Sequence, residues 1–461
     1  MAAVSCVAAS SGASAVSSGP AVSYVPVVPV VPVVPGQAAG DAGGVLAHGL
    51  GGRSDLPLDA LHAIAGGGLA VLASFLLLGV VWRRPRLDPG RGRPLPDALA
   101  RAAGSPAVRR GARAVVLAAC ALVVAVAFAG PRRTEQNLAP WALYVTFWVG
   151  LAPASVLLGP VWRAVNPLRV LHAAIARRGA ACREYPARLG YWPAAAWLTG
   201  FVWLELVAPG RADPRLVGAL ILGYASVNLA FARVYGPAWF ARGDGFEAYS
   251  TLLARMCPIG RRPDGTLILR SPLAALADGR AVAGQTALAC VLIGSTGFDG
   301  LTRTAFWRET VDPRDVAAGT LGLLGCVAFV AALYLAAARG RAARFSATLL
   351  PIALGYTVAH YFSFFLLEGQ MTVILASDPF GTGLDLLGLS GNRVDYRLLS
   401  PALVAAVQIN AIVLGHIAAT AASHDLALRT YPPARAVRDQ IPVAAAMVAL
   451  TCAGLAALLG G

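Results

Sequence analysis

The stretch DVAAGTLGLLGCVAFVAALYLAAA at residues 315–338 decides the class of fold. It contains no charged residue after Asp315, and Arg339 and Arg341 follow it closely. A helix of about 20 apolar residues is long enough to cross the ~30 Å hydrocarbon core of a bilayer. The stretch therefore predicts a transmembrane helix with a basic end.

Similar apolar runs recur along the whole chain, which is 57% hydrophobic and only 13% charged, with a mean hydropathy of +0.64. This composition is too apolar for an ordinary soluble domain. We predict an all-α, polytopic bundle of about ten transmembrane helices. The predicted spans are 59–82, 113–130, 140–162, 189–208, 215–236, 281–298, 315–338, 345–367, 397–420 and 441–459.

The arginines predict how the bundle is oriented. All 38 basic residues are Arg. With the N-terminus outside, the connections on one side carry 28 of them and those on the other side carry ten. Basic loops stay cytoplasmic in multi-pass proteins. We therefore predict an N-out, C-out protein of the plasma membrane whose Arg-rich loops face the cytoplasm.

The net charge of +15 is spread over short loops between apolar runs. A nucleic-acid-binding protein would need a separate basic domain, so nucleic acid is excluded as a partner. The partners that the charge predicts are the lipid bilayer and its anionic headgroups. The sequence does not indicate a protein partner.

Two domains are predicted. Residues 1–47 are low in complexity and rich in Pro, Val and Ser, which suits an extracytoplasmic tail or a processed segment. Residues 48–461 form the transmembrane helical domain. Within it, apolar side chains at helical spacing near 244–262, beside several Arg, predict an amphipathic helix lying on the inner membrane surface.

Ionisable residues inside apolar runs are the first functional candidates, because each is costly to bury in lipid without a partner. His360 lies in the eighth run and Glu368 directly follows it, while Asp299 directly follows the sixth run. Asp378 and Asp385 lie in the loop after the eighth run. The predicted topology brings these groups to the outer face, and we expect His360, Glu368, Asp299 and Asp378 to be catalytic.

Imidazole and carboxylate groups are the ligands that zinc and copper accept, and a bound metal activates water. His48 and Asp55, just before the first span, join His360 and Glu368 as predicted ligands of a divalent metal. Cleavage after Ala47 would instead leave His48 as an N-terminal copper-chelating residue. No established metal or nucleophile motif accompanies them, and an Asp beside Gly or Pro is also typical of turns and caps.

A second polar cluster, His416, His424 and Asp425, is predicted toward the cytoplasm. Eight residues separate the two histidines, so a regular helix holds them ~12 Å apart and they do not share a metal. His416 is expected to hydrogen-bond between helices, and His424 and Asp425 to be solvated. Arg163 to Arg169 is interpreted as a headgroup contact. Glu205 needs a partner that the sequence does not name.

Several of these motifs resemble the multi-pass membrane proteins of high-GC Gram-positive bacteria labelled fenitrothion hydrolase. The resemblance covers most of the chain after residue 47 and implies hydrolysis of an organophosphate triester, although it brings no settled catalytic residues with it. The matching segments are AHGLGGRSDLP at 47–57, GFDG at 297–300, HYFS at 360–363, SDPFG at 377–381, GH at 415–416 and HD at 424–425.

Two other functions fit the same residues. Polar groups at several depths, at His360, Gln408, Asn410 and His416, are also typical of a permease for a metal ion or small polar solute. Paired intramembrane histidines are typical of a haem- or copper-binding redox protein, which would absorb visible light.

Overall fold

The computed structural model describes residues 60–175 and 183–459. Within these ranges the chain is mostly helical, and eight helical segments are long and apolar enough to cross a membrane. They are α1 (Ala60–Val81), α3 (Pro106–Ala129), Leu138–Leu158, α9 (Pro214–Tyr235), α14 (Val316–Ala338), Ala342–Ser377, α18 (Pro401–Thr430) and α19 (Pro433–Leu459).

Two of the eight segments are composite. Leu138–Leu158 joins α4 (Leu138–Pro140), π-helical turns (Trp141–Val149) and α5 (Gly150–Leu158). Ala342–Ser377 joins α15 (Ala342–Phe345), a 3₁₀ turn (Ser346–Leu349), α16 (Leu350–Leu367) and α17 (Gly369–Ser377). The remaining α-helices are α2 (Asp97–Gly104), α6 (Val161–Val165), α7 (Pro167–Ile175), α8 (Trp192–Leu206), α10 (Ala238–Arg242), α11 (Gly245–Leu253), α12 (Gln285–Thr302) and α13 (Ala305–Thr310).

Short elements complete the described part. Single 3₁₀ turns occupy Thr134–Gln136, Ala254–Met256, Ala274–Leu276 and Tyr396–Leu398. Strands β1 (Arg93–Pro94), β2 (Ile259–Arg261) and β3 (Leu267–Leu269) form a small antiparallel sheet in the order β1-β3-β2. The sheet joins the connection after α1 to the connection before α12.

Helix α12 lies at the centre of the bundle and packs against α8, α14 and α16. Twelve of its 18 residues are buried. By contrast, only two of the 24 residues of α3 are buried, and apolar side chains such as Val115, Leu122 and Phe128 are exposed. An outward apolar surface on a helix of this length is what lipid contact requires.

Helices α16 and α18 approach each other through glycine. A Cβ on Gly355 would lie 2.5 Å from the carbonyl oxygen of Ala411, and one on Gly415 would lie 2.7 Å from that of Pro351. Small residues let two helix backbones pack closely where lipid supplies no hydrophobic force between helices. This contact sets the distance between the helices that carry His360 and His416.

The segment near 244–262 differs from its prediction. Its helix, α11, forms, but eight of its nine residues are buried, including Phe246, Glu247 and Tyr249. It packs against α5, α6 and α8. The helix is therefore enclosed by protein on its charged face as well, and does not rest on a membrane surface as an amphipathic helix would.

Candidate functional site

Asp299, His360 and Arg303 form a polar cluster between two packed helices. Asp299 lies in the last turn of α12, and His360 lies in α16. His360 Nε2 is hydrogen-bonded to Asp299 Oδ2. Arg303, four residues after Asp299, places Nη2 3.3 Å from the same oxygen and 3.2 Å from His360 Nε2. The structure thus brings two of the predicted catalytic residues together and adds an arginine that the sequence analysis missed.

The cluster has the parts of an acid–base centre. A carboxylate bonded to one imidazole nitrogen holds the ring in one orientation and tautomer. With the proton assigned to Nε2 and shared with Asp299, the basic nitrogen of His360 is Nδ1. The His360 side chain is only 8% exposed, whereas that of Arg303 is 26% exposed. The guanidinium is therefore the side of the cluster that lies nearest to the surface of the protein.

Glu205 obtains the partner that the sequence left unnamed. It lies in the last turn of α8, and its Oε1 accepts a hydrogen bond of 3.1 Å from the hydroxyl of Tyr361, the residue next to His360. Its Oε2 is buried and has no hydrogen-bond partner among the described residues. Tyr361 and His360 are also in edge-on ring contact at 5.2 Å. A second carboxylate therefore lies beside the Asp299–His360 pair.

Glu368 and the loop aspartates have their own local partners. Glu368 lies between α16 and α17. It accepts a hydrogen bond of 3.0 Å from the hydroxyl of Tyr396, which lies near the end of the loop that carries Asp378 and Asp385. Asp378 accepts from the backbone N–H groups of Thr382 and Gly383. Asp385 accepts from the Ser377 hydroxyl at 2.5 Å, and this bond holds the pKa of Asp385 below its ordinary value. Asp378 and Asp385 thus order turns of the loop, the alternative role considered for them.

The structure describes two of the four predicted metal ligands, His360 and Glu368. His48 and Asp55 lie outside the described residues, so their part in a site stays a prediction. Across 60–175 and 183–459, no group of three or more His, Cys, Asp or Glu side chains is arranged to hold a metal ion. Arg303 also lies beside His360 Nε2, where its positive charge would oppose a cation. The described donors therefore do not fit a metal ion.

His424 and Asp425 were expected to be solvated, and this expectation is wrong. Their exposed fractions are 1% and 0%. Asp425 Oδ1 accepts from Trp82 Nε1 at 3.2 Å and from the backbone N–H groups of Arg86 and Leu87 at 2.5 and 3.1 Å. His424 Nε2 meets the carbonyl of Trp82 at 2.9 Å. The pair anchors the connection after α1 to α18.

His416 is fully buried and differs from the interhelical role expected for it. Its Nδ1 is 2.9 Å from the carbonyl of Ile412 in its own helix. Its Nε2 has no hydrogen-bond partner among the described residues, and neither does Oε1 of Gln408, two turns earlier. The ring makes an edge contact with Tyr356 of α16 at 5.8 Å. The predicted cluster of His416, His424 and Asp425 is thus two separate environments along α18.

A further buried network was missed because the segment from Arg163 to Arg169 was assigned to headgroups. Asn166, at 1% exposure, donates to Asp244 at 3.0 Å and to Glu247 at 3.1 Å. Arg169 donates from Nε and Nη2 to the two oxygens of Glu247 at 2.7 and 2.6 Å. Tyr224 donates to Asp244 at 2.6 Å.

Burial raises the pKa of Asp244 to about 6. The network ties α7 to α9 and α11, and therefore has a structural role. The acidic residues of Gly243-Asp-Gly-Phe-Glu247 were the available signal in the sequence, but nothing local links them to Asn166 or Arg169.

Comparison with known proteins adds no assignment: no family model, curated protein or solved structure matches this chain.

Proposed function

We propose that the chain crosses the plasma membrane ten times, N-out and C-out, with its Arg-rich connections in the cytoplasm. The eight long apolar segments, with α8 and α12 as two further crossings, support this count. Helix α8 has only 15 residues and spans ~22 Å. It packs against α11 and α12, which places it within the bundle despite its shorter length.

Contacts between the Arg-rich connections support the orientation. Arg262 donates to the carbonyls of Gly90 and Gly92, at 3.1 and 2.8 Å, beside the small sheet. Arg113 donates to the carbonyl of Ala164 at 2.8 Å. Connections that contact one another lie at the same end of the bundle. Ten alternating crossings would place all of the Arg-rich connections at one end, so these contacts agree with that number. The positive-inside rule then assigns that end to the cytoplasm.

We further propose that the protein is a hydrolase of organophosphate-type esters whose centre, at the outer face, consists of His360, Asp299 and Arg303. The observation that carries the proposal is the His360–Asp299 hydrogen bond with a guanidinium beside it. The resemblance to proteins labelled fenitrothion hydrolase suggests the substrate class. The described side chains are not grouped as metal ligands, and the steps proposed here are assigned to His360, Asp299 and Arg303.

The reaction divides among the three side chains. His360 Nδ1 takes a proton from water as the water oxygen attacks phosphorus, and Asp299 stabilises the imidazolium that forms. Arg303 stabilises the negative charge that develops on the phosphoryl oxygen. The P–O bond to the aryl group then breaks, and the aryl oxygen leaves as a phenolate. Burial of the imidazole among apolar helices strengthens each of these electrostatic interactions.

The test is turnover of a nitrophenyl phosphate triester by the full chain in lipid nanodiscs, followed by release of coloured nitrophenolate. We expect His360→Gln to lower kcat/KM by about 10²- to 10⁴-fold, which is the usual contribution of a general base. His172→Gln is the matched control, because His172 lies in α7, where its Nε2 is 3.1 Å from the carbonyl of Ala232 and its ring contacts that of Phe240. The proposal is wrong if wild type does not exceed empty nanodiscs, or if His360→Gln matches wild type.

A permease for a metal ion or small polar solute is the second candidate. It is favoured by two buried atoms of α18, Gln408 Oε1 and His416 Nε2, which have no hydrogen-bond partner within 60–175 and 183–459. Helix α18 packs closely against α16. Polar atoms left unsatisfied inside a membrane bundle are costly and commonly line a path. If the protein is such a permease, proteoliposomes that contain a zinc-sensitive dye should take up zinc faster than empty vesicles do. The variant His416→Leu should take up zinc at least tenfold more slowly than wild type. Equal influx with and without protein would exclude zinc transport.

A further inference from the structure

A groove of about 490 Å³ lies between α3 and α7, away from the cluster of Asp299, His360 and Arg303. Three arginines line it, Arg110 and Arg113 from α3 and Arg169 from α7. Apolar side chains line the rest, including Leu117 and Val170. The groove thus combines a positively charged part with an apolar part.

The charge of the groove is not neutralised by the protein around it. Arg169 is held by Glu247 through two hydrogen bonds. Arg110 and Arg113 are exposed, and neither has an ion-pair partner in the described part of the chain. Arg113 donates its Nε to the carbonyl of Ala164 at 2.8 Å, which fixes its position. Two guanidinium groups are therefore available to an anion.

The apolar part of the groove continues along α3 from the charged part. Leu117 lies one helical turn after Arg113, and Arg110 and Arg113 lie in the first two turns of the helix. Ala114 of α3 and Val170 and Ala173 of α7 complete the apolar lining. A molecule that satisfies both parts has an anionic group at the helix starts and a hydrocarbon chain along α3.

We propose that this groove binds one anionic phospholipid, with its phosphate between Arg110 and Arg113 and an acyl chain along Leu117 and Val170. Charge complementarity carries the assignment, because guanidinium groups pair with phosphate oxygens through two parallel hydrogen bonds. Basic pockets between transmembrane helices on the cytoplasmic side are typical sites for such headgroups. The inference rests on the proposed orientation but not on the proposed hydrolysis, because Asp299, His360 and Arg303 do not line the groove.

The experiment measures binding of phosphatidylglycerol to the detergent-purified full chain by native mass spectrometry, with phosphatidylcholine as the neutral lipid. Each Arg near a headgroup contributes about 1 kcal/mol, so Arg110→Gln with Arg113→Gln should weaken phosphatidylglycerol binding about 30-fold. Arg84→Gln with Arg101→Gln removes the same charge from exposed positions outside the groove and should change binding less than threefold.

Three outcomes would overturn the proposal. Equal binding of the two lipids would remove the charge selectivity, and equal losses in the two double variants would indicate diffuse attraction instead of a site. Displacement of phosphatidylglycerol by inorganic phosphate at the same concentration would indicate a phosphate site that makes no use of the acyl chain. Arg110→Lys with Arg113→Lys keeps the charge and should retain most of the binding, which separates lost contacts from misfolding.

Discussion

Replacing Glu247 by Ala should lower the free energy of unfolding of the detergent-solubilised protein by about 3–5 kcal/mol. Glu247 is fully buried and receives both donors of Arg169 together with the amide of Asn166. Its removal leaves a guanidinium that is only 21% exposed without its carboxylate. Removing one member of a buried ion pair is costly because the remaining charge stays poorly solvated.

The measurement is unfolding in mixed micelles by increasing SDS, followed by tryptophan fluorescence. Glu309→Ala is the matched control, because Glu309 is exposed on α13, and its replacement should change the free energy by less than about 0.5 kcal/mol. The double variant Arg169→Leu with Glu247→Leu should be more stable than Glu247→Ala, because it leaves no unpaired charge. A Glu247→Ala protein as stable as the Glu309 control would refute the structural role of the network.

Replacing Asp425 by Ala should cost a similar amount, about 3–5 kcal/mol, and should loosen one connection in particular. The carboxylate accepts from Trp82, from the backbone of Arg86 and Leu87, and from Arg429 at 2.8 Å. Bonds to a charged group contribute about 1.5–3 kcal/mol each, and a buried donor left without a partner carries a further penalty. The N–H group of Leu87 is such a donor.

Hydrogen exchange locates the effect. In Asp425→Ala the amides of Arg86 and Leu87 should exchange faster by at least tenfold, while amides in the middle of α12 stay protected. Asp88→Ala is the control within the same connection, since Asp88 is exposed and its carboxylate accepts a hydrogen bond from the N–H group of its near neighbour Gly90. Unchanged exchange at Leu87 in the Asp425 variant would mean that other contacts hold the connection.

The helical class of this protein could be predicted from local sequence. Hydropathy is a property of a window of about 20 residues, so stretches such as 315–338 and 401–420 need no knowledge of their neighbours to be assigned to helices. The eight long apolar helices agree with eight of the predicted runs, and α8 and α12 occupy the other two. The count of ten crossings and their orientation remain predictions.

The candidate site was predictable only in part. An ionisable residue in an apolar run is visible as an exception to its surroundings, and on this basis Asp299 and His360 were selected. Arg303 was not selected, because at the end of a run it looks like any other loop arginine. Glu368 and Asp378 were chosen by the same reasoning as Asp299, yet one pairs with Tyr396 and the other orders a turn.

The sequence by itself therefore determined that the chain is a bundle of apolar helices, because the cost of exposing or burying a side chain depends on its own chemistry. Only the tertiary structure decided which polar residues meet. Asn166 and Glu247 are separated by 81 positions along the chain, and Trp82 and Asp425 by 343, yet each pair is in direct contact. A buried charge is stabilised by whichever partner the packing of the helices brings to it, and no local pattern encodes that partner.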